Sequence, residues 1–279
     1  MILSKPSNAK AMVFVIHGSG GLDADGTVGP YKTYKNLADQ LYEKGIAVAR
    51  FSKRSSIKAC GMKMNHPRFN HSVFIQDAKN VLNEIVTKNL ILASTPIFIL
   101  GHSQGVNFAS LISNEFLRVK GQILMAGLGK YAIDETLLRQ LKLKMNDPQF
   151  PSEVRDKLKK MFEEGKEFFN KLKSGQYNQN DFFMGAFAPF WVSYIEMTKN
   201  AAVDATKVKV PSLVVQGDKD INVTEKDFEA LVLATKEKSG SESRVFQELD
   251  HFFVKKGETV VHQDVTSVIA VWIEKVLSL

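Results

Sequence analysis

Gly101-His102-Ser103-Gln104-Gly105 is the segment whose residue types best suit chemistry. It follows the apolar run Pro96–Leu100 and precedes Val106, Phe108, Ala109, Ile112 and Phe116, which recur at helical spacing. A serine at a sharp strand-to-helix turn is held in a strained backbone conformation that raises its hydroxyl above the carboxyl edge of a sheet. Glycines two positions to either side let neighbouring elements approach closely. The next amide, from Gln104, opens a helix, and a helix amino terminus favours developing negative charge. The pattern suits nucleophilic attack on a carbonyl, with the resulting oxyanion held by N–H donors. His102, beside the serine, reads as a packed side chain and not as a base.

A serine near neutral pH needs a general base, and the base needs an orienting acid. Six histidines are available. His17 lies in a glycine-rich turn, His66 and His71 precede the serine, and His262 opens the last helix. His251 follows the run Arg244–Leu249, at the rim where parallel sheets carry their sites, and is the expected base. Activity through it falls on acidification through the ordinary histidine range. For the acid, Asp218 and Asp220 both follow Val214-Val-Gln-Gly. Asp218 is placed to tighten the turn, whereas Asp220 extends further and is the expected partner. Asp250 is a weaker rival, because adjacent side chains rarely align. The order is then Ser, Asp, His. After the first strand, His17-Gly18-Ser19-Gly20-Gly21 can supply a second oxyanion donor, from Ser19 or Gly20, beside Gln104. No Gly-Lys-Ser/Thr follows, so this is not a phosphate loop.

The elements that must position these groups alternate. Strands are expected at Ala11–Ile16, Ile46–Phe51, Pro96–Leu100, Gly121–Ala126, Val210–Gln216 and Arg244–Leu249. Between them, Tyr31–Lys44, Ser72–Lys88 and the segment after Thr224 repeat apolar residues at helical spacing, and Val261–Val276 closes the chain the same way. Such alternation means right-handed crossovers and a mostly parallel, doubly wound sheet. Residues 128–205 break the rhythm. They read as a helical insertion, expected to act as a lid, between core segments 1–127 and 206–279. Its aromatics include Phe187, Phe190 and Trp191, expected to line an apolar substrate pocket.

Composition narrows the classes. A chain 44% hydrophobic and 24% charged is an ordinary globular protein and not a disordered one. The formal charge of +7 over 279 residues is spread through mixed segments such as Glu153–Lys173, which argues against a nucleic-acid partner. No apolar run approaches the roughly 20 residues of a membrane span, and no signal peptide is recognisable, so a cytoplasmic location is the expectation. The histidines lack metalloprotease spacing and Cys60 stands alone, so neither metal nor cofactor is expected.

Around these residues the chain resembles α/β-hydrolase carboxylesterases, and more narrowly the bacterial prolyl-oligopeptidase-like or dienelactone-hydrolase-like esterases. The likeness is carried by the elbow and by His17-Gly-Ser-Gly-Gly-Leu-Asp-Ala-Asp25-Gly-Thr-Val-Gly29-Pro30. Gly45-Ile-Ala-Val-Ala-Arg50-Phe-Ser-Lys53-Arg54, Val210–Asp220 and Leu249-Asp-His251-Phe-Phe add to it. It implies Ser103 as nucleophile, Asp220 as acid, His251 as base and a small-molecule ester as substrate. Gly21 stands where relatives often carry proline, and Ser52 where they often carry aspartate. The amino end reads as too short for the antiparallel strands that open the full fold. The same triad also serves thioesterases and small-peptide or amide hydrolases, and a non-catalytic binding protein on this fold is the alternative of another class. Monomer and homodimer are both left open.

Overall fold

The computed structural model describes residues 1–56 and 69–279. Cys60 and His66 lie outside the described residues. The chain opens with β1 (Ile2–Ser4) and β2 (Ala11–Ile16). A short hairpin of β3 (Thr27–Val28) and β4 (Tyr31–Lys32) leads into α1 (Thr33–Glu43) and β5 (Ile46–Arg50). Next come α2 (His71–Thr87), β6 (Ile97–His102), α3 (Gln104–Ile112) and β7 (Val119–Met125). The insertion holds α4 (Ile133–Asn146), α5 (Ser152–Lys173), the hairpin β8 (Phe182–Phe183) and β9 (Ala186–Phe187), and α6 (Ala188–Lys199). The chain then runs through α7 (Ala201–Lys207), β10 (Ser212–Gly217), α8 (Glu225–Thr235), β11 (Glu242–Phe246) and α9 (Gln263–Leu277).

Among the described residues the main sheet has seven strands in the order β1-β5-β2-β6-β7-β10-β11. All neighbouring pairs are parallel except β1 with β5. The amino end therefore does supply an antiparallel strand, only three residues long. Helices cover parallel strands on both faces, so the strands are continuous apolar runs: every residue of β2 and β6 is buried. The last edge strand differs. The expected strand Arg244–Leu249 is observed as Glu242–Phe246, four of its five residues exposed. A strand with one neighbour and mostly exposed residues has no need of an apolar run, so apolarity places it too late in the chain.

The chain divides into two compact units. The larger comprises residues 1–62, 74–130 and 200–279, and the smaller 63–73 and 131–199. In the larger unit, Trp272 of α9 packs edge-on against Phe98 of β6 at 5.6 Å between ring centroids. Its indole N–H donates to Gly240 O at 2.8 Å. The helix α7 packs with α3 and α8 in this unit, whereas the sequence reading carried the insertion to residue 205.

The smaller unit has its own core. Phe168 and Phe169 of α5 pack with Phe183 and Trp191, and the Trp191 indole donates to Phe183 O at 2.9 Å. Phe190 and Trp191 are 5% and 6% exposed within this cluster. His71 packs against Phe190 and Tyr194, with Nδ1 2.8 Å from Ser193 Oγ. No helix among the described residues is long and apolar enough to cross a membrane.

Candidate active site

Strand order decides where a site can form in the larger unit. From β2 the chain crosses to β5 on one side and later to β6 on the other. At that reversal the loops leaving two adjacent strands diverge and open a crevice at their carboxyl ends. The register Ile16↔Gly101 sets the two loops side by side: the glycine turn from His17 and the turn that holds Ser103. Ser103 has φ 55° and ψ −120°, in the left-handed region where a side chain is strained. Its N–H donates to Met125 O at 2.8 Å, and its carbonyl accepts from Val106 N at 3.0 Å. The glycine at 105 is dictated by contact, since a Cβ there would stand 2.2 Å from Ile16 O. Gly21 has a similar cause: a Cβ would stand 2.6 Å from Ser55 O. The turn therefore excludes the proline that relatives often carry. At Ser52, the hydroxyl accepts from Ala24 N at 3.0 Å and braces the same loop.

The acid and histidine loops leave the paired strands β10 and β11. Asp220 and His251 meet there: His251 Nδ1 donates to Asp220 Oδ2 at 2.7 Å. The carboxylate is fixed from all sides. Oδ1 accepts from Asn222 N at 2.7 Å and Val223 N at 3.0 Å, and Oδ2 also accepts from Gln216 Nε2 at 3.0 Å. Four donors hold the carboxylate in one orientation toward the imidazole. Its rivals have other work. Asp218 Oδ1 accepts from Glu248 N at 2.6 Å, tying the acid turn to the histidine loop. Asp250 Oδ1 accepts from Phe252 N and Val254 N at 2.8 and 3.2 Å, shaping the turn that presents His251.

A buried hydrogen-bond chain links the glycine turn to the histidine loop. Gly18 N donates to Tyr34 Oη at 2.7 Å. Tyr34 O–H can then donate to His102 Nδ1, 3.1 Å away, and His102 Nε2–H to His251 O, 2.9 Å away. This donor sequence assigns the His102 tautomer from its neighbours. The rings of His102 and His251 lie 5.0 Å apart, so the elbow and the histidine loop are directly apposed. His102 is thus a bracing residue, as its sequence position suggested. Tyr34, read from sequence only as part of an apolar helix face, is the link that periodicity hides.

Burial sets the protonation of this layer. Desolvation lowers the pKa of His102 to about 3, with His251 adding to the effect. His17 is also lowered to about 3, by desolvation first and then by Lys53. Neither His17 ring nitrogen has a hydrogen-bond partner among the described residues, and the ring packs edge-on against Tyr34 and Phe51. Both histidines are neutral when folded and take up protons near 6.5 when unfolded, so acid favours the unfolded chain. Both therefore cost stability progressively as pH falls from about 6.5 toward 3. Lys53, lowered from 10.5 to about 7 by burial, acts in the same direction between those values. The urea midpoint should therefore rise from pH 5 through 7 to 9, and a midpoint that falls over this range would contradict the burial of these groups.

Phe187, Phe190 and Trp191 belong to the smaller unit. Phe187 is half-buried and stacks edge-on with Phe182 at 5.1 Å, while Phe190 and Trp191 lie in that unit's core. Ser19 and Gly20 are both in the glycine turn, exposed, with Gly20 at φ 91°.

A mostly parallel sheet covered by helices, with a serine at the strained turn after β6, is the α/β-hydrolase fold. The chain belongs to one family of that fold, Hydrolase_4 (serine aminopeptidase, S33), whose profile matches residues 7–255. It is 28% identical over 256 residues to Esterase EstD of Thermotoga maritima, covering 90% of this chain and 57% of that protein. The chain thus spans little more than half the length of that relative. Solved structures share the fold. The monoacylglycerol lipase of Paleococcus ferrophilus superposes with a TM-score of 0.58 at 15% identity, covering 99% of this chain and all of that one. An esterase of Pyrococcus furiosus gives 0.62 at 13% identity, covering 96% of this chain and 82% of that one.

Proposed function

We propose that the chain is a serine esterase that cleaves small to medium hydrophobic carboxylic esters through an acyl-enzyme on Ser103. The observation that carries this reading is the 2.7 Å bond from His251 Nδ1 to a fully hydrogen-bonded Asp220, in a loop apposed to the Ser103 elbow. His251 takes the Ser103 proton as the hydroxyl attacks the ester carbonyl. Asp220 holds the imidazole with its proton on Nδ1 and stabilises the cation that forms. The amides of Gln104 and of Ser19 or Gly20 hold the oxyanion. Collapse expels the alcohol, which takes the proton back from His251, and water repeats the sequence to release the acid. Within the fold, the runs His17–Pro30 and Gly45–Arg54 resemble those of prolyl-oligopeptidase-like or dienelactone-hydrolase-like esterases.

We further propose that the helical insertion read from the sequence, residues 128–205, acts as a lid that selects the acyl chain, a role its aromatic content supports. Phe187 is the informative position, because truncating Phe190 or Trp191 would first cost the smaller unit its core. Wild type assayed on p-nitrophenyl acetate, butyrate, octanoate and decanoate, on acyl-CoA thioesters and on aminoacyl p-nitroanilides should prefer the shorter esters. Phe187→Ala should move that optimum by two or more carbons, and an unmoved optimum would remove Phe187 from the pocket. Faster turnover of thioesters or anilides than of every ester would replace the esterase reading.

A further inference from the structure

A buried lysine takes no part in these steps. Lys53 lies in the turn after β5 and is 4% exposed. Its Nζ donates to Gly18 O and, at 2.8 Å, to Gln104 Oε1. The ammonium sits 5.0 Å from the Phe74 ring centroid. Among the described residues no carboxylate pairs with it: Asp77, the nearby acid, is taken by Arg54. Burying a lysine without a counter-ion is costly, so such groups are retained where they serve a site.

The two acceptors belong to the two segments that carry the oxyanion donors. Gly18 C=O shares its peptide plane with Ser19 N–H, and in a trans peptide the two point in opposite directions. A donor fixed on the carbonyl therefore aims the Ser19 amide away from Lys53. It also polarises the peptide and makes that amide a stronger donor. The second bond grips the side chain of Gln104, whose amide begins α3. We propose that Lys53 is a positioning residue that sets and strengthens the oxyanion hole by holding the Gly18–Ser19 peptide and Gln104 in register. The inference rests on Ser103 being the nucleophile. Desolvation lowers the Lys53 pKa to about 7, and both the ammonium and the neutral amine retain N–H donors for these two acceptors. In sequence, Ser52-Lys53-Arg54-Ser55 looks like any solvated basic turn.

The oxyanion exists only along the reaction path, so loss of Lys53 should lower kcat and leave KM nearly unchanged. Lys53→Met, normalised to sites titrated by a fluorophosphonate, should lose about 10- to 100-fold in kcat with KM within about twofold. Its Ki for a trifluoromethyl ketone, which forms the tetrahedral adduct, should rise by the factor by which kcat/KM falls. Lys53→Arg, which keeps donors at both acceptors, should recover much of the loss. Gln104→Met keeps Lys53 and the backbone amide but removes one acceptor, and should lose several-fold in kcat with the same proportionality. It carries the test if Lys53→Met does not fold. A purely structural lysine would lower the titratable fraction and the melting temperature while kcat per titrated site stayed within twofold, and that outcome overturns the proposal. So does a loss of kcat with unchanged analogue affinity. A wild type that takes no fluorophosphonate overturns the parent reading and this one with it, whereas a labelled wild type matched by Lys53→Met overturns this one alone.

Discussion

Ser103→Ala is expected to lower kcat on p-nitrophenyl butyrate by about 10⁶-fold, leaving only the residual rate that binding and the oxyanion donors supply. The size follows from the chemistry. Without the hydroxyl no acyl-enzyme can form, and His251 has nothing to deprotonate except water held in the wrong place. The fold should tolerate the change well. Ser103 contributes its backbone to the elbow through bonds to Met125 and Val106, and alanine keeps both. The strained φ of 55° is a cost shared by serine and alanine alike. The measurement is steady-state kinetics with protein purified separately from wild type, beside a thermal melt. A residual rate above about one hundredth of wild type, with the melt unchanged, would place the nucleophile elsewhere.

Asp220→Asn is expected to lower kcat by about 10⁴-fold through the wrong imidazole tautomer and not through lost shape. Two backbone amides, from Asn222 and Val223, require an acceptor at the Oδ1 position. The asparagine oxygen satisfies them, which turns its NH2 toward His251. Facing a donor, Nδ1 must become the acceptor and the proton moves to Nε2, the nitrogen that has to receive the serine proton. Asp218→Asn and Asp250→Asn are the controls. Their carboxylates serve backbone amides of the loops, so each should lose less than about tenfold in kcat with some loss of stability. Equal losses at positions 218 and 220 would contradict the assignment of the acid.

The fold was legible wherever one physical constraint dominated the residue choice. Both faces of β2 and β6 are buried, so Ala11–Ile16 and Ile97–Leu100 are unbroken apolar runs. The elbow was legible because close approach and a left-handed serine demand Gly101, Ser103 and Gly105 in that spacing. Asp220 and His251, which the structure brings to 2.7 Å, each follow a strand by a few residues, on the rim where loops leave the sheet. What hid was of two kinds. Edge and hairpin strands carry little periodicity: β11 is mostly exposed, and β8 and β9 are two residues each. Buried polar groups also carry no local signature. Lys53 and Tyr34 bond to partners 35 or more and 16 or more positions away respectively. Spacing likewise cannot tell an aromatic that lines a pocket from one that fills a core, and Phe190 and Trp191 fill a core.

If His251, held by Asp220, makes one particular hydroxyl reactive, a covalent probe should find that hydroxyl alone. Intact-mass and peptide-mapping analysis of wild type after brief exposure to a fluorophosphonate tests it most directly. One adduct per chain is expected, on Ser103, formed rapidly in wild type and at a rate lowered by orders of magnitude in His251→Ala. An adduct on another residue, or none on folded protein that still hydrolyses esters, would contradict it.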